Sequence, residues 1–257
     1  MKTTIEKVEN ENNIKVIWLG LRGSDLKGYS TLDSDTDLIA IFIPNNGING
    51  YLTLNPESNL TNFTFKTKTL DIQFLELKKA LQLLIKNDVN LVQSIRYSDN
   101  LLNSGDPRDS ASLILGEFLK RVFDHNTYMH KMWCIMRNYI KNDYFQSNAK
   151  EFISAGLIAL SFLNNYGEEL PPILADTLIF HAKEKNKYFL SLAKNLEKAI
   201  EGRKKGYDTV PFEHFENLKW CVGNLYMPLL NEDKPKPDYN NLDSFFVYMV
   251  DTFTDKV

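Results

Sequence analysis

The sequence predicts an α+β protein, with an α/β unit over residues 1–102 and an all-helical unit over 107–257. Three observations predict it. As far as about residue 74, apolar residues fall in short continuous or alternating runs bounded by turn residues, the pattern of strands in a sheet. From Phe74 onward they recur every three or four positions, the period of helices with one buried face. Between the two lies Asn103-Ser104-Gly105-Asp106-Pro107, the clearest linker in the chain.

Taken in order, residues 1–13 are polar and read as a short helix or an ordered lead-in. Residues 14–19 and 38–43 are nearly continuous apolar runs, as buried central strands are. Pro44-Asn45-Asn46-Gly47 ends the second with turn residues, and residues 48–60 have no clear pattern. A strand or hairpin arm follows at 63–65, and Lys68-Thr69-Leu70-Asp71-Ile72-Gln73-Phe74 alternates enough to be a third core strand. Phe74, Leu77, Leu81 and Leu84 then form a helical stripe, widened by Ala80. Asn87-Asp88-Val89-Asn90 breaks it before a second short helix over 91–97.

Helices are expected next over 111–123, where Asp109 or Ser110 can cap, over 127–139 and over 152–162. Pro171-Pro172 opens a long one carrying the stripe Phe189, Leu192, Leu196 and Ile200, with Gly202 and Gly206 bracketing its end. After Pro211 the pattern continues through Phe215, Leu218, Val222 and Tyr226, and residues 242–253 close the chain beyond Pro235-Lys236-Pro237.

Composition narrows the function classes. With 43% hydrophobic and 25% charged residues among 257, the chain is an ordinary soluble globular protein. A net charge of −3 provides no global attraction for nucleic acid, so any such contact must be local. No apolar run approaches the roughly 20 residues of a membrane span, and the first residues lack a signal sequence, so no membrane partner is expected. Cys134 and Cys221 sit in apolar helical contexts and read as reduced core thiols of a cytoplasmic protein.

The chemistry gathers in the stretch from Gly23 to Leu38, which runs between the first two strands. Strand side chains alternate faces, so Asp35 and Asp37 point the same way. Two carboxylates there form a pocket for a hard divalent cation, Mg²⁺ above all, completed by water and substrate phosphates. Gly23 lets the backbone turn sharply, and its N–H groups with the Ser24 hydroxyl can hold phosphate oxygens. Alone, Asp33-Ser34-Asp35-Thr36-Asp37 reads better as a solvated turn, and Gly-Ser as an ordinary strand end. Together, flanked by apolar strands, they describe a site for a nucleoside triphosphate. Asp33 is expected outside it. Asp71, in an apolar strand where an unpaired charge is costly, is the candidate third carboxylate, with Glu76 its rival.

Gly23-Ser24, Gly28 and Ser34-Asp35-Thr36-Asp37-Leu38 resemble the signature of the DNA polymerase β-like nucleotidyltransferase superfamily. Within it the chain most resembles the small bacterial and phage branch associated with RNA repair, with looser similarity from Asp71-Ile72-Gln73-Phe74 to Asn90-Leu91. The resemblance implies a nucleotidyltransferase head with a mixed sheet, followed by a helical substrate-binding or accessory domain. It implies Asp35, Asp37 and Asp71 as catalytic and metal ligands for two Mg²⁺ ions, with Mn²⁺ a substitute. It also implies Gly23 and Ser24 at the β- and γ-phosphates of an NTP, ATP being the expected one. That branch often has an arginine directly after Gly-Ser. Asp25 stands there in this chain, so Arg22 or Lys27 would substitute, with Lys66 and Lys68 near enough in sequence to help. The implied reaction moves a nucleoside monophosphate to an acceptor hydroxyl, an RNA end such as a tRNA terminus being expected. A protein acceptor of the toxin-partner kind, a small molecule, or a non-catalytic nucleotide-binding protein are the alternatives.

Elsewhere the functional signals are weaker. His125 and His130 are five apart, His181 and His214 stand alone, and all four read as packing or surface residues. The segment 183–205 holds eight Lys or Arg against Glu184, Glu197 and Glu201. It reads either as an RNA-facing helix or as a solvated one laced with ion pairs. Tyr128 and Tyr139 are candidates for stacking on a base, although most aromatic residues are core.

Overall fold

The computed structural model describes residues 1–47, 49, 51, 62–102, 110–141, 148–163, 173–185, 189–225 and 239–254. The linker expected at 103–107, most of 48–60, Tyr226 and the break at Pro235-Lys236-Pro237 lie outside them. In chain order the elements are α1 (Lys2–Asn12), β1 (Ile14–Leu21), α2 (Gly23–Lys27), β2 (Thr36–Pro44), β3 (Phe63–Lys66), β4 (Leu70–Glu76), α3 (Leu77–Ile85) and α4 (Val89–Tyr97). Then come α5 (Ser110–Val122), α6 (His125–Lys141), α7 (Ala149–Leu163), α8 (Ala175–Lys185), α9 (Leu190–Lys204), α10 (Phe212–Gly223) and α11 (Tyr239–Thr254). The architecture is α+β, a mixed sheet in the N-terminal half followed by helices. Two compact units divide the chain: Met1–Gly23, Asp35–Phe123 and Asp233–Val257 form one, Ser24–Ser34 and Asp124–Glu232 the other.

The first unit is built on a four-stranded sheet of order β1-β2-β4-β3. β1 runs antiparallel to β2, β2 parallel to β4, and β3 antiparallel to β4. The even-numbered residues of the two central strands, Leu38, Ala40, Phe42, Ile72 and Phe74, share one buried face with Ile5 and Val8 of α1. Phe63 stacks on Phe74 at 4.6 Å and extends that face toward the edge. Asn13, in the left-handed conformation, ends α1, and the Val16 N–H donates to the Glu9 carboxylate at 2.7 Å, tying the helix to β1. The outer edge of β1 is covered. Leu21 N–H donates to Ser98 Oγ, Leu19 N–H to Asn100 Oδ1, and Leu19 C=O accepts from Leu101 N–H. Such cover removes an open template for strand pairing.

The helical stripe expected to begin at Phe74 starts three residues later. Phe74 is held in β4 between Ala40 and Phe63, and Glu76 is the N-cap of α3, its carboxylate accepting from Lys78 and Lys79 N–H. Asp88 caps α4 in the same way through Leu91 N–H. α11 returns to this unit from the far end of the chain. Phe245 packs on Phe118 at 5.3 Å beneath the Arg121 guanidinium, and Lys15 Nζ donates to the Phe253 carbonyl at 2.7 Å.

The second unit is helical. α7 is buried from Phe152 through Ser161, and Gly156 lets α9 approach so closely that a Cβ there would stand 2.6 Å from Leu196. Phe152 meets Phe215 of α10 edge-on at 5.3 Å. The long helix expected after Pro171-Pro172 is two, α8 and α9, and the stripe Phe189, Leu192, Leu196 and Ile200 belongs to the second. Residues 24–34 join this unit through Tyr29, whose buried hydroxyl shares a 2.8 Å hydrogen bond with Ser154 Oγ. Of the two cysteines expected in the core, Cys221 is buried and burial pushes its thiol up to about 11, whereas Cys134 is exposed. Among the described residues no helix is long and apolar enough to cross a membrane.

Candidate active site

The pairing of the strands draws one row of charges across the sheet of the first unit. Asp37, the second residue of β2, is the register partner of Asp71, the second residue of β4. Lys66 at the end of β3 is the partner of Asp71 on its other side. On the β1 side the Arg22 N–H donates to the Asp37 carbonyl at 2.9 Å. The row reads Arg22, Asp37, Asp71, Lys66, two anions between two cations. Neighbouring strands lie about 4.8 Å apart, and like charges directly opposite one another destabilise a sheet. The flanking cations offset that repulsion. Arg22 Nη2 lies 3.3 Å from Asp71 Oδ1 and 3.7 Å from Asp37 Oδ1, while Nη1 donates to Gln73 Oε1 at 3.0 Å. Lys66 Nζ donates to Asp71 Oδ2 at 3.1 Å and stands 3.4 Å from Asp35 Oδ2, so it bridges Asp35 to the row. The Asp71 carboxylate, and after it that of Asp35, push the Lys66 ammonium above its ordinary value.

Two local features set this geometry. A bulge in β1 shifts the register with β2, so that Val16 pairs with Phe42 but Trp18 pairs with Ile41. A one-residue slip exchanges the faces of every side chain beyond it. Without it Leu21 would oppose Asp37; with it Leu21 opposes Leu38 on the apolar face and Arg22 follows on the charged one. The second feature is Gly23. Its φ is +64°, and a Cβ there would lie 2.6 Å from Asp37 Oδ2. Only glycine accepts both that backbone conformation and that close a carboxylate.

Carboxylate oxygens are the hard ligands that Mg²⁺ takes, and the Asp37–Asp71 pair fits an ion that draws the rest of its shell from water and phosphate. Among the described residues no group of three or more His, Cys, Asp or Glu is arranged to hold a metal ion. Asp35 reaches the pair through Lys66. Ser24 is buried, at 2% exposure, and its carbonyl accepts from Tyr29 N–H. Lys27 keeps some surface, yet the atoms crowded around it desolvate its ammonium and push it down to about 8. Ser24, Asp25 and Lys27 all lie on the short helix α2.

Sequence reasoning named Arg22 as a phosphate ligand but missed that it pairs with both aspartates, and it missed Gln73 altogether. The signal for Gln73 was present, since it lies two residues from Asp71 in the same strand and so on the same face. Glu76, the rival of Asp71, is at the opposite end of β4 and serves as a cap. Asp33 is exposed. Tyr128 is fully buried and unable to stack on a base. In the basic segment Lys183 pairs with Glu197 and Arg203 is buried beside Asp208, while Lys194, Lys198, Lys204 and Lys205 are exposed. His214 packs against Phe152, and burial lowers its pKa from the ordinary value.

No curated protein matches the chain. A family model does, over residues 1–247, nearly its full length, including every residue of the charged row. A cross-strand aspartate pair behind a glycine turn is thus found in a chain that belongs to the RNA repair pathway DNA polymerase beta family, RlaP.

Proposed function

We propose that this protein is a Mg²⁺-dependent nucleotidyltransferase that moves a nucleoside monophosphate from an NTP, ATP in the first instance, to a hydroxyl at an RNA end. The observation that carries the reading is the Asp37–Asp71 register pair held between Arg22 and Lys66. Two carboxylates side by side in a sheet cost stability, and a divalent ion that binds a triphosphate is a chemical reason to keep them. The family's place in RNA repair supports the acceptor.

Asp35, Asp37 and Asp71 would hold Mg²⁺, or Mn²⁺ in its place. The metal, when bound, supplies charge neutralisation of the triphosphate and a lower pKa for the acceptor hydroxyl. The other tasks fall to the chain. The acceptor oxygen forms a bond to the α-phosphorus as the bond from that phosphorus to the bridging oxygen breaks, and pyrophosphate leaves with the electron pair. Asp71 would take the acceptor's proton. Arg22, braced by Gln73, would offer the planar fork of its guanidinium to phosphate oxygens. Gly23 and Ser24 would line the β- and γ-phosphates, with Lys27 contributing charge when protonated. Positioning and electrostatics account for most of such a rate enhancement.

The test is incubation of the protein with each labelled NTP, Mg²⁺ and total RNA, beside Asp37→Asn and Asp71→Asn. Label is expected in RNA, reduced by at least about 10²-fold in either variant, the scale of losing one group that stabilises transition-state charge. Label in protein or in a small molecule would replace the acceptor. Label in nothing, with nucleotide bound, would leave a binding protein and overturn the reading.

A further inference from the structure

The two cations of the row are held very differently. Arg22 is fixed. Its backbone N–H, Nη1 and Nη2 all have partners, and its side chain is 24% exposed. Lys66 sits at the end of the four-residue edge strand β3 with its side chain 63% exposed. Among the described residues its ammonium meets only Asp71, at 3.1 Å, and Asp35, at 3.4 Å. Exposed ammonium–carboxylate pairs are weak and readily exchanged. Yet this ammonium joins two of the three carboxylates of the cluster, and among the described residues no group of three or more acidic side chains is arranged for a metal. A Mg²⁺ ion needs carboxylate oxygens at about 2.0–2.1 Å, so it competes with the ammonium for the same oxygens.

We propose that Lys66 is the resident counter-cation of the site: it joins Asp35 to Asp71 in the metal-free protein and is displaced when a divalent cation takes those carboxylates. The inference rests on the reading that Asp35, Asp37 and Asp71 hold the metal. It assigns Lys66 a positioning role: by competing with the metal it offsets part of the negative charge of the unloaded acidic cluster, and once displaced from the carboxylates it is free to meet a phosphate oxygen. Metal affinity is therefore set partly by a residue that is no metal ligand.

Titration with Mn²⁺, read from the electron paramagnetic resonance signal of the free ion, tests this without any turnover. The full chain would be compared with Lys66→Met, Lys66→Arg, Lys68→Met and Asp37→Asn at one pH and ionic strength. Lys66→Met is expected to bind Mn²⁺ about three- to tenfold more tightly than wild type, from the loss of two exposed pairs. Lys66→Arg should stay near wild type. Lys68 is exposed and makes no ion pair among the described residues, so Lys68→Met, with the same change of charge, should shift affinity by less than about twofold. Lys66→Met binding no more tightly than Lys68→Met would overturn the proposal. If that happens while Asp37→Asn loses Mn²⁺, only the role of Lys66 falls. If Asp37→Asn titrates like wild type, the carboxylates do not hold the metal and the functional reading falls with it.

Discussion

Gly23 is the residue at which the smallest chemical change should do the most. Its backbone lies at φ +64°, and a methyl group would press on the carboxylate of Asp37 at 2.6 Å. A left-handed non-glycine residue costs about 1–2 kcal/mol, and relief of the contact would move Asp37 out of the row. Gly23→Ala should therefore lower urea stability by about that amount and transfer activity by much more, whereas a merely structural turn would lose the two in proportion. Lys27 makes a different prediction, through pH. Its folded pKa of about 8 is below the ordinary 10.5, so between those values the unfolded chain binds more protons. Stability should rise with pH across that window, with the cost of the charged ammonium fully present below pH 8. If Lys27 meets the triphosphate as a cation, nucleotide affinity should fall as pH rises above 8. Both slopes should flatten in Lys27→Met, measured by chemical denaturation and by nucleotide titration.

At the scale of elements, β4 carries two acidic residues with opposite fates. Asp71, near its start, belongs to the charged row, and Glu76, at its end, satisfies two backbone N–H groups at the head of α3. Glu76→Ala should cost ~1 kcal/mol, as lost caps do, and leave transfer activity per folded molecule unchanged. Asp71→Asn should do the reverse. Denaturation midpoints and single-turnover rates on the same two variants separate the roles. An activity loss in Glu76→Ala that outruns its stability loss would count against this division.

The whole molecule is interleaved. The chain leaves the first unit after Gly23, joins the second through Tyr29, and returns at Asp35, so both flanks of the signature stretch belong to the sheet and its middle to the helices. The last helix goes back to the unit that holds the sheet, where Phe245 packs on Phe118 and Lys15 holds the Phe253 carbonyl. Removing residues 239–257 should therefore lower the thermal midpoint of unfolding as seen by probes in the sheet, although they begin nearly 200 residues after β2 ends. Tyr29→Phe, which deletes the hydroxyl facing Ser154, should cost ~1 kcal/mol, the usual net worth of one hydrogen bond.

The sequence by itself determined the fold class, the strands and most helices of the described residues, because periodicity is a local property and each residue's neighbours in the chain report it. It also marked Asp35, Asp37 and Asp71 as the acidic residues to watch, through a turn that only glycine serves and charges set in apolar strands. Tertiary structure alone decided how those charges meet. The register that sets Asp37 beside Asp71, the bulge that turns Arg22 to their face, and the edge strand that brings Lys66 to Asp35 are pairings between distant segments. A register depends on which strand lies alongside and where each pair of strands begins, and neither is written in the spacing of residues along one strand.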